Sequence, residues 1–312
     1  MFKKLKKMTL RPAYDFAQQL AGYDIVNATL GPRNEVCILA VESGSGFREL
    51  ENPTNHEFAY RIIITDDNGV RKLDFPRLKM EYDFVQPLQN ERILLVSARS
   101  NWYAAKKYDL NAAVFERDGT FVRNFLLGDG IQDMYVTDQD IIWTSYFDEG
   151  IFGNNGWEEP VGIRGLKAWD TEGKEVFTYP RSIIHSMEDC YALNVVADED
   201  IWFYYYMEFA LARYHNGELF YYKPGVKGAD GFTLFEDYAL FRGGYDSPEK
   251  FILYHFRNKY EMRKKCFIQF LTEDEEVIDP HIVANRGSVF LFTVDTSIYL
   301  VRLEDVVEEV NK

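Results

Sequence analysis

Residues 165–179 of the chain, GLKAWDTEGKEVFTY, place the polar turn DTEG between two strand-like runs. Comparable turns that close on glycine end at Gly69, Gly119 and Gly217, and the turn quoted ends at Gly173. Asn-Gly and Asp-Gly pairs favour β-hairpins because both residues tolerate positive φ. Successive turn glycines are 50, 54 and 44 residues apart, which indicates a β-unit repeated about every fifty residues.

A second recurring element is a short, very apolar run that lies two strands before each turn. Strands this apolar on both faces are expected between neighbouring sheets. Six copies occur, at 36–39, 93–96, 141–143, 201–203, 238–241 and 289–292. In the third unit this pattern predicts strands over 132–137, 140–146, 165–169 and 174–179. Four-stranded units of this period are typical of the blades of a β-propeller.

The sequence therefore predicts an all-β fold: a six-bladed β-propeller of four-stranded antiparallel blades, with the whole chain, 1–312, forming one domain. The predicted blades cover 23–79, 80–128, 129–180, 181–226, 227–278 and 279–307. The last blade is one strand short, and we expect 7–14 to supply it and close the ring, because an open ring leaves an unpaired edge. We also predict a short helical link over 15–21 and a helical turn over 303–310.

The succession of an apolar strand with tryptophan and an Asp-x-x-Gly turn, over 140–173, resembles NHL-like, streptogramin-lyase-like and YVTN-type propellers. The resemblance extends over nearly the whole chain, but in architecture only. The dipeptide Trp169-Asp170 is WD40-like, yet its Gly-His partner is absent and the other blades lack it. The repeat period disfavours two alternative folds. A seven-bladed propeller would need repeats nearer 43 residues, and a pair of β-sandwiches would show no such period.

The amino-acid composition limits the classes of molecule that the protein is expected to bind. The formal net charge of −15 and pI near 4.9 disfavour nucleic acid and anionic membranes. We expect a monomer that binds a protein partner or a small ligand. The three cysteines imply no disulfide framework, and the basic N-terminus is followed by no apolar stretch. No segment approaches the twenty apolar residues of a membrane span, so the expected compartment is the cytoplasm.

Polar residues near the start of the innermost strands are candidates for a site at the mouth of a central channel. They are Asn27, Gln86, Gln132, Asp133, Tyr191, Asp230 and His281. Oxygen ligands from Asn27, Asp133 and Asp230 could bind a hard cation such as Ca²⁺, and no other cofactor is predicted. If the protein is an enzyme, His281 and Asp133 are the candidate acid and base. The alternative is that these side chains only solvate a water-filled channel.

The most distinctive segment is 146–165, YFDEGIFGNNGWEEPVGIRG, which combines glycines, carboxylates and the exposed-looking aromatics Phe152 and Trp157. Together with 43–58 and 97–110 it forms a set of long second-to-third-strand connections on one face. Loops on a rigid scaffold often carry function. The predicted partner-binding residues are Trp102, Tyr103, Asp148, Glu149, Trp157 and Arg164. The alternative is a folded flap whose aromatics cover the adjacent blade.

Two further segments have structural interpretations. The basic run 259–265 is predicted to be a solvated edge strand, since lysine discourages edge pairing, and 202–206, WFYYY, is assigned to core packing rather than sugar stacking. The leading functional hypothesis is a non-enzymatic recognition propeller that binds a protein or other ligand through its long-loop face. The alternatives are a lyase or hydrolase with a cation at the channel mouth, and a sensory or structural module of a complex.

Overall fold

The computed structural model describes residues 5–48, 56–66, 69–182, 184–247, 249–257 and 261–312. Within these ranges the strands form six antiparallel sheets of four strands, one of which gains a fifth, parallel strand. This is a six-bladed β-propeller, and the predicted fold class is confirmed. The chain divides into two compact units, a first unit, Phe16–Arg181, and a second unit, Ser182–Lys312 with Met1–Asp15.

The first unit contains three of the sheets and a two-stranded hairpin. The strands β1 (Leu5–Thr9) and β2 (Tyr14–Asp15) precede it and belong to the second unit. Its own elements are β3 (Tyr23–Leu30), β4 (Val36–Glu42), β5 (Tyr60–Asp66), β6 (Gly69–Asp74), β7 (Phe84–Pro87), β8 (Ile93–Val96), β9 (Trp102–Ala104), β10 (Lys107–Tyr108), β11 (Ala112–Phe115), β12 (Phe121–Phe125), β13 (Ile131–Val136), β14 (Ile142–Tyr146), α1 (Asp148–Phe152), β15 (Leu166–Trp169) and β16 (Glu175–Thr178). A short 3₁₀ turn, Gln89–Glu91, lies between β7 and β8.

The second unit contains the other three sheets and the C-terminal helix. Its elements are β17 (Asp189–Ala197), β18 (Asp200–Tyr206), β19 (Ala210–His215), β20 (Glu218–Tyr222), β21 (Phe232–Phe235), β22 (Tyr238–Arg242), β23 (Phe251–Phe256), β24 (Met262–Leu271), β25 (Ile282–Arg286), β26 (Val289–Val294), β27 (Ser297–Arg302) and α2 (Leu303–Asn311). The helix α2 agrees with the predicted helical turn, whereas the residues predicted as a helical link at 15–21 form turns. No helix in the described part of the chain is long and apolar enough to cross a membrane.

Burial explains why the apolar runs mark the blades. Each of the six runs falls in the second strand of a sheet, and β4 and β14 are buried along nearly their whole length. The fourth strands β6 and β16 instead have no fully buried residue. Two of the residues in the predicted turn at 66–69, Asp67 and Asn68, lie outside the described residues.

The cores lie between neighbouring sheets. In the first unit, Leu39 and Ile62 of one sheet pack in the same cluster as Leu95 and Phe115 of the next. In the second unit a corresponding cluster joins β22–β24 to β26, β27 and the apolar face of α2. The three free cysteines, Cys37, Cys190 and Cys266, are all buried.

A buried glutamine joins the inner strands of the first unit. Gln86 of β7 is fully buried, although the sequence placed it at a channel mouth. Its Nε2 donates to the carbonyl of Leu30 at 3.2 Å, and its Oε1 accepts from the N–H of Val136 at 3.4 Å. These partners lie on β3 and β13, so a single side chain connects the inner strands on both sides of its own.

Two asparagines have the same role in the second unit. Asn194 of β17 donates to the carbonyls of Phe232 and Gly287 at 2.9 and 3.0 Å, and its Oδ1 accepts from the N–H of Gly287. Asn285 of β25 donates to the carbonyl of Leu193 at 2.8 Å and accepts from the N–H of Phe232. Each carboxamide supplies both a donor and an acceptor to backbone groups that would otherwise be buried without partners.

The N-terminal segment completes the last blade, as predicted, but through different residues. The predicted strand was 7–14, whereas only β2 pairs with β27. Strand β1 instead lies parallel to β24, with Leu5 opposite Phe267 and Thr9 opposite Leu271. The reason is hydrophobic: Met8 packs against the core of the second unit from this position. One segment therefore covers the outer edges of two sheets.

We predict that deleting residues 1–14 destabilises the protein, because the deletion uncovers the edges of β24 and β27 and removes the apolar contacts of Met8. The expected fall in Tm is roughly 5 °C or more, equivalent to about 2 kcal/mol. Arg11→Ala is the control, since Arg11 forms only an exposed ion pair with Glu273 and should leave Tm nearly unchanged. Thermal unfolding followed by circular dichroism measures both, and a truncated chain that melts like the wild type would contradict the role of the segment.

Candidate functional site

The long connections of the first unit are folded segments. The connection between β8 and β11 contains the hairpin β9–β10, and that between β14 and β15 contains α1. The backbone N–H of Trp102 donates to the carbonyl of Asn155 at 2.9 Å, so the two connections lie side by side, as predicted. A Cβ at Gly156 would come within 2.3 Å of the Trp102 carbonyl oxygen, which requires glycine at this position. We call residues 97–110 and 146–165 together the loop surface.

The third long connection, 43–58, is joined to the loop surface through Asp83. This carboxylate forms an ion pair with Arg48 and accepts the backbone N–H of Ala98 at 2.7 Å. Residues 49–55 of this connection lie outside the described residues.

A buried carboxylate, Asp129, holds residues of the loop surface in place through an ion pair and hydrogen bonds. Its oxygens form a two-point ion pair with Arg99 at 2.9 and 3.1 Å. They also accept the backbone N–H of Ser100 at 2.8 Å and the side-chain amide of Asn155 at 3.2 Å. Paired charges with several hydrogen bonds are the arrangement in which a buried carboxylate is tolerated. The sequence did not indicate Asp129, because the residue stands in a short inter-blade connection without a motif.

The same arginine connects this network to α1. The third nitrogen of the Arg99 guanidinium lies 2.7 Å from Glu149, a predicted binding residue. Hydrogen bonds from Asn154 and Arg99 lower the pKa of the Glu149 carboxyl. Asp148, another predicted binding residue, is exposed at the start of α1 and accepts the N–H of Glu149 at 2.7 Å. Of the two carboxylates of α1, that of Glu149 is therefore held by hydrogen bonds, whereas that of Asp148 faces solvent.

Trp157 is buried, and its predicted exposure is wrong. Only 7% of its surface is accessible. Its indole Nε1 donates to the carbonyl of Ser100 at 2.7 Å, and its ring lies 4.9 Å from that of Trp102. Trp102 in turn stacks on Tyr108 at 5.4 Å. Because the ring of Trp157 is packed and its N–H is hydrogen-bonded within the protein, this side chain fixes one connection to the other. This agrees with the alternative of a folded flap.

The outward-facing part of the loop surface consists of other side chains. Tyr103 is 56% exposed, and its hydroxyl donates to Asp109 at 3.2 Å. Phe152 and Ile163 are 66% and 53% exposed. Arg164 is half-buried beside Ile163. Sequence reasoning noted Phe152 but missed Ile163, because a single isoleucine between glycine and arginine has no signal of exposure.

The candidate channel residues are divided between the two units. In the first unit, Asn27 and Asp133 are half-buried on β3 and β13, and the N–H of Asp133 donates to Ser145 at 3.1 Å. In the second unit, the Asp230 carboxylate lies 2.9 Å from Arg242, so a cation there would have to displace a guanidinium. His281 is exposed directly before β25.

Among the residues that the structure describes, no three His, Cys, Asp or Glu residues are grouped so that they could hold a metal ion. The Ca²⁺ site and the acid–base pair therefore stay predictions.

The chain is similar to solved structures at low sequence identity. Virginiamycin B lyase from Staphylococcus aureus is 12% identical with a TM-score of 0.48, and the match covers 94% of this chain and 99% of that one. A gluconolactonase from Xanthomonas campestris is 8% identical with a TM-score of 0.44, covering 95% of each chain. No protein-family model and no curated protein matches the sequence. These similarities concern the fold alone.

We predict that Asp129→Ala destabilises the first unit by about 3 kcal/mol, because it leaves Arg99 and the N–H of Ser100 without their acceptor. Glu172→Ala is the matched control: it removes an exposed carboxylate that pairs with Arg123 in the same unit, and should cost under about 1 kcal/mol. Urea unfolding followed by tryptophan fluorescence measures both. Equal small effects would show that the Asp129 network does not hold the connections.

A pH dependence follows from Glu149, whose pKa is lowered in the folded protein. A carboxyl with a lowered folded pKa contributes stability above its unfolded pKa and loses it as the pH falls through the folded value. Wild type should therefore be more stable than Glu149→Gln at pH 7, and the difference should begin to shrink as the pH falls below the ordinary glutamate pKa of about 4.3 and vanish only below the lower folded pKa. Urea unfolding from pH 7 to pH 3 measures this, and a pH-independent difference would contradict it.

Proposed function

We propose that the protein is a non-enzymatic recognition propeller that binds a protein partner through the loop surface of its first unit. The observation that carries the proposal is the buried support beneath this surface. Asp129, Arg99 and Trp157 hold the two connections in one arrangement. A surface ordered before binding loses little conformational entropy on association, so more of its contact energy contributes to affinity.

The exposed side chains have the chemistry of interface anchors. The loop surface exposes the apolar side chains of Tyr103, Phe152 and Ile163, while other side chains already occupy its interior. Large apolar groups surrounded by polar residues are typical of interaction sites. The exposed carboxylates Asp148 and Glu158 add negative charge beside them. A partner with an apolar depression and a basic rim is complementary to this surface.

The titratable groups of the loop surface favour binding over catalysis. Asp129 is engaged by Arg99 and Asn155, and Asp109 accepts hydrogen bonds from Asn101 and Tyr103. Burial and the Asp109 carboxylate raise the pKa of the Tyr103 phenol, so this hydroxyl stays protonated at neutral pH. These groups stabilise the loops, which supports a role in recognition.

The test is a triple variant, Tyr103→Ser with Phe152→Ser and Ile163→Ser. Tagged wild type and variant are used to capture proteins from a native lysate, and the captured proteins are quantified by mass spectrometry. We expect at least one abundant partner to be lost by about tenfold or more in the variant, because three interface anchors are removed together. Unchanged Tm and circular dichroism confirm that the variant is folded.

The matched control is a second triple variant of the first unit, Val70→Ser with Phe121→Ser and Val176→Ser. These side chains are similarly exposed but lie on the fourth strands of the three sheets. The control should retain the partner. Equal loss in both variants, or full retention in the first, would overturn the proposal.

A further inference from the structure

The first unit has a groove between β12 of its second sheet and strands β15 and β16 of its third sheet. Its volume is about 820 Å³. Small-molecule pockets usually measure about 300–1,000 Å³. Phe125 lines the groove on one side, and Lys167, Trp169 and Glu175 line it on the other. Every lining residue falls within the described range 69–182. The groove therefore has the size of a site for a small molecule.

Contacts between the two sheets fix the walls of this groove. The guanidinium of Arg123 on β12 donates to the carbonyl of Thr171 at 2.8 Å, in the turn before β16. A Cβ at Gly173 in the same turn would come within 2.6 Å of the Cβ of Phe125, so only glycine allows the turn to lie so close to β12. The groove is therefore formed before a ligand arrives, which lowers the entropic cost of binding.

Two of the three charged side chains in the lining neutralise each other. Lys167 is buried, its ammonium lies 5.3 Å from the centre of the Trp169 ring, and it forms an ion pair with Glu175. Burial alone would raise the pKa of the Glu175 carboxyl, but the hydrogen bond from Lys167 holds that pKa below its ordinary value. Both groups therefore stay charged at neutral pH, and their charges cancel.

The third charged side chain in the lining, Glu159, leaves a negative charge without compensation. It is exposed, and its carboxylate forms no ion pair or hydrogen bond with a residue in the described ranges. The protein as a whole carries a net charge of −15, which adds to the negative potential. Such a potential attracts cations, and hydrogen bonds between an ammonium and a carboxylate are among the stronger ones in proteins.

Apolar and aromatic side chains form most of the remaining lining. They include Phe125 of β12, Val161 and Ile163 of the connection after α1, and Tyr108 of β10. Ile163 is 53% exposed and Tyr108 is 36% exposed. A ligand that covers them removes apolar surface from water, which favours binding. The Tyr108 ring is held by its stacking on Trp102, and an aromatic ring also attracts a nearby cation.

The second unit has a larger cleft, of about 1580 Å³, whose charge is opposite. Its lining carries six cationic side chains against the two carboxylates of Asp246 and Glu261; the cations are Lys223 and Lys227 after β20, Arg257, and Arg263, Lys264 and Lys265 of β24. The basic run 259–265, predicted as a solvated edge strand, supplies the last three, and its residues 259 and 260 lie outside the described residues. Because this lining repels cations, an amine should prefer the groove of the first unit.

We propose that the groove of the first unit binds a small organic amine, with its ammonium group at Glu159 and its apolar stem along Phe125 and Ile163. A neutral ligand would make no ion pair with the carboxylate. An anion would be repelled by Glu159, while the lysine of the groove is already paired with Glu175. Glu159 and Ile163 also belong to the loop surface, but the amine site needs no protein partner and goes beyond the recognition proposed there.

Isothermal titration calorimetry of the wild type with three matched probes tests the class of ligand. Phenylbutylamine, phenylbutanol and phenylbutyrate share one apolar stem and carry a positive, a neutral and a negative head group. We expect the amine to bind with an affinity that falls with added salt. The alcohol should bind about tenfold less tightly, because a hydrogen bond to a charged group is the stronger one, and the carboxylate should not bind. The proposal is overturned if the amine does not bind, or if the alcohol or the carboxylate binds as tightly.

The site is assigned by Glu159→Gln, which removes the charge and keeps the shape of the side chain. The matched control is Glu158→Gln, at the neighbouring exposed carboxylate that does not line the groove. Glu159→Gln should lower the affinity for the amine by about tenfold and leave that for the alcohol unchanged, whereas the control should change the affinity for the amine by less than about twofold.

Equal effects of the two variants, or full binding of the amine by Glu159→Gln, would overturn the proposal. An unchanged Tm confirms that both variants are folded, as expected for exposed carboxylates. The titrations contain only the protein and the probe, so their outcome is independent of whether a partner is captured through the loop surface.

Discussion

Buried carboxamides set the geometry on which the other elements depend. The innermost strand of a blade has one edge with no strand of its own sheet beside it, and its backbone groups still require partners once they are buried. Gln86, Asn194 and Asn285 supply these partners across neighbouring blades, since each side chain both donates and accepts hydrogen bonds. Replacing such an amide by an apolar side chain would leave several backbone groups unsatisfied at once, so its cost would exceed that of one hydrogen bond. The aromatic cores between sheets pack around strands placed in this way.

In the long connections of the first unit, a buried charged side chain likewise supplies hydrogen bonds to several groups. Asp129 accepts from a guanidinium, a backbone N–H and an amide, and so holds two long connections in register with the sheet beneath them. In both places a polar side chain is buried because its hydrogen bonds are complete. The connections 97–110 and 146–165 are thus held to one another by specific contacts. In the second unit the outer strands leave a basic cleft instead, so the two halves of the chain differ in the surfaces that they present.

The repeat was readable from the sequence because it rests on local patterns. Hairpin turns and apolar runs depend on residues that are adjacent in the chain, and both located the blades closely. The errors arose where a contact between distant residues decided the outcome. Trp157 looked exposed in a polar, glycine-rich segment, yet the carbonyl of Ser100 and the Trp102 ring bury it. Strand 7–14 was placed on one sheet, but the packing of Met8 assigns its first half to another. The basic cleft of the second unit was not predicted, because its lysines come from the connection after β20 and from β24, which are distant in the sequence.

The pairing of β1 and β2 also affects the order in which the sheets can form during translation. Leu5 leaves the ribosome 262 residues before its partner Phe267 (267 − 5), and Tyr14 leaves it 284 residues before its partner Ile298 (298 − 14). The first unit takes all its strands from Phe16–Arg181 and needs nothing from the C-terminal half to complete its sheets. The second unit cannot complete its own until Ile298 has been made, and contacts so distant in sequence are slow to form. During translation, β1 and β2 therefore emerge before the strands with which they pair, and any earlier partner must be one that they can leave.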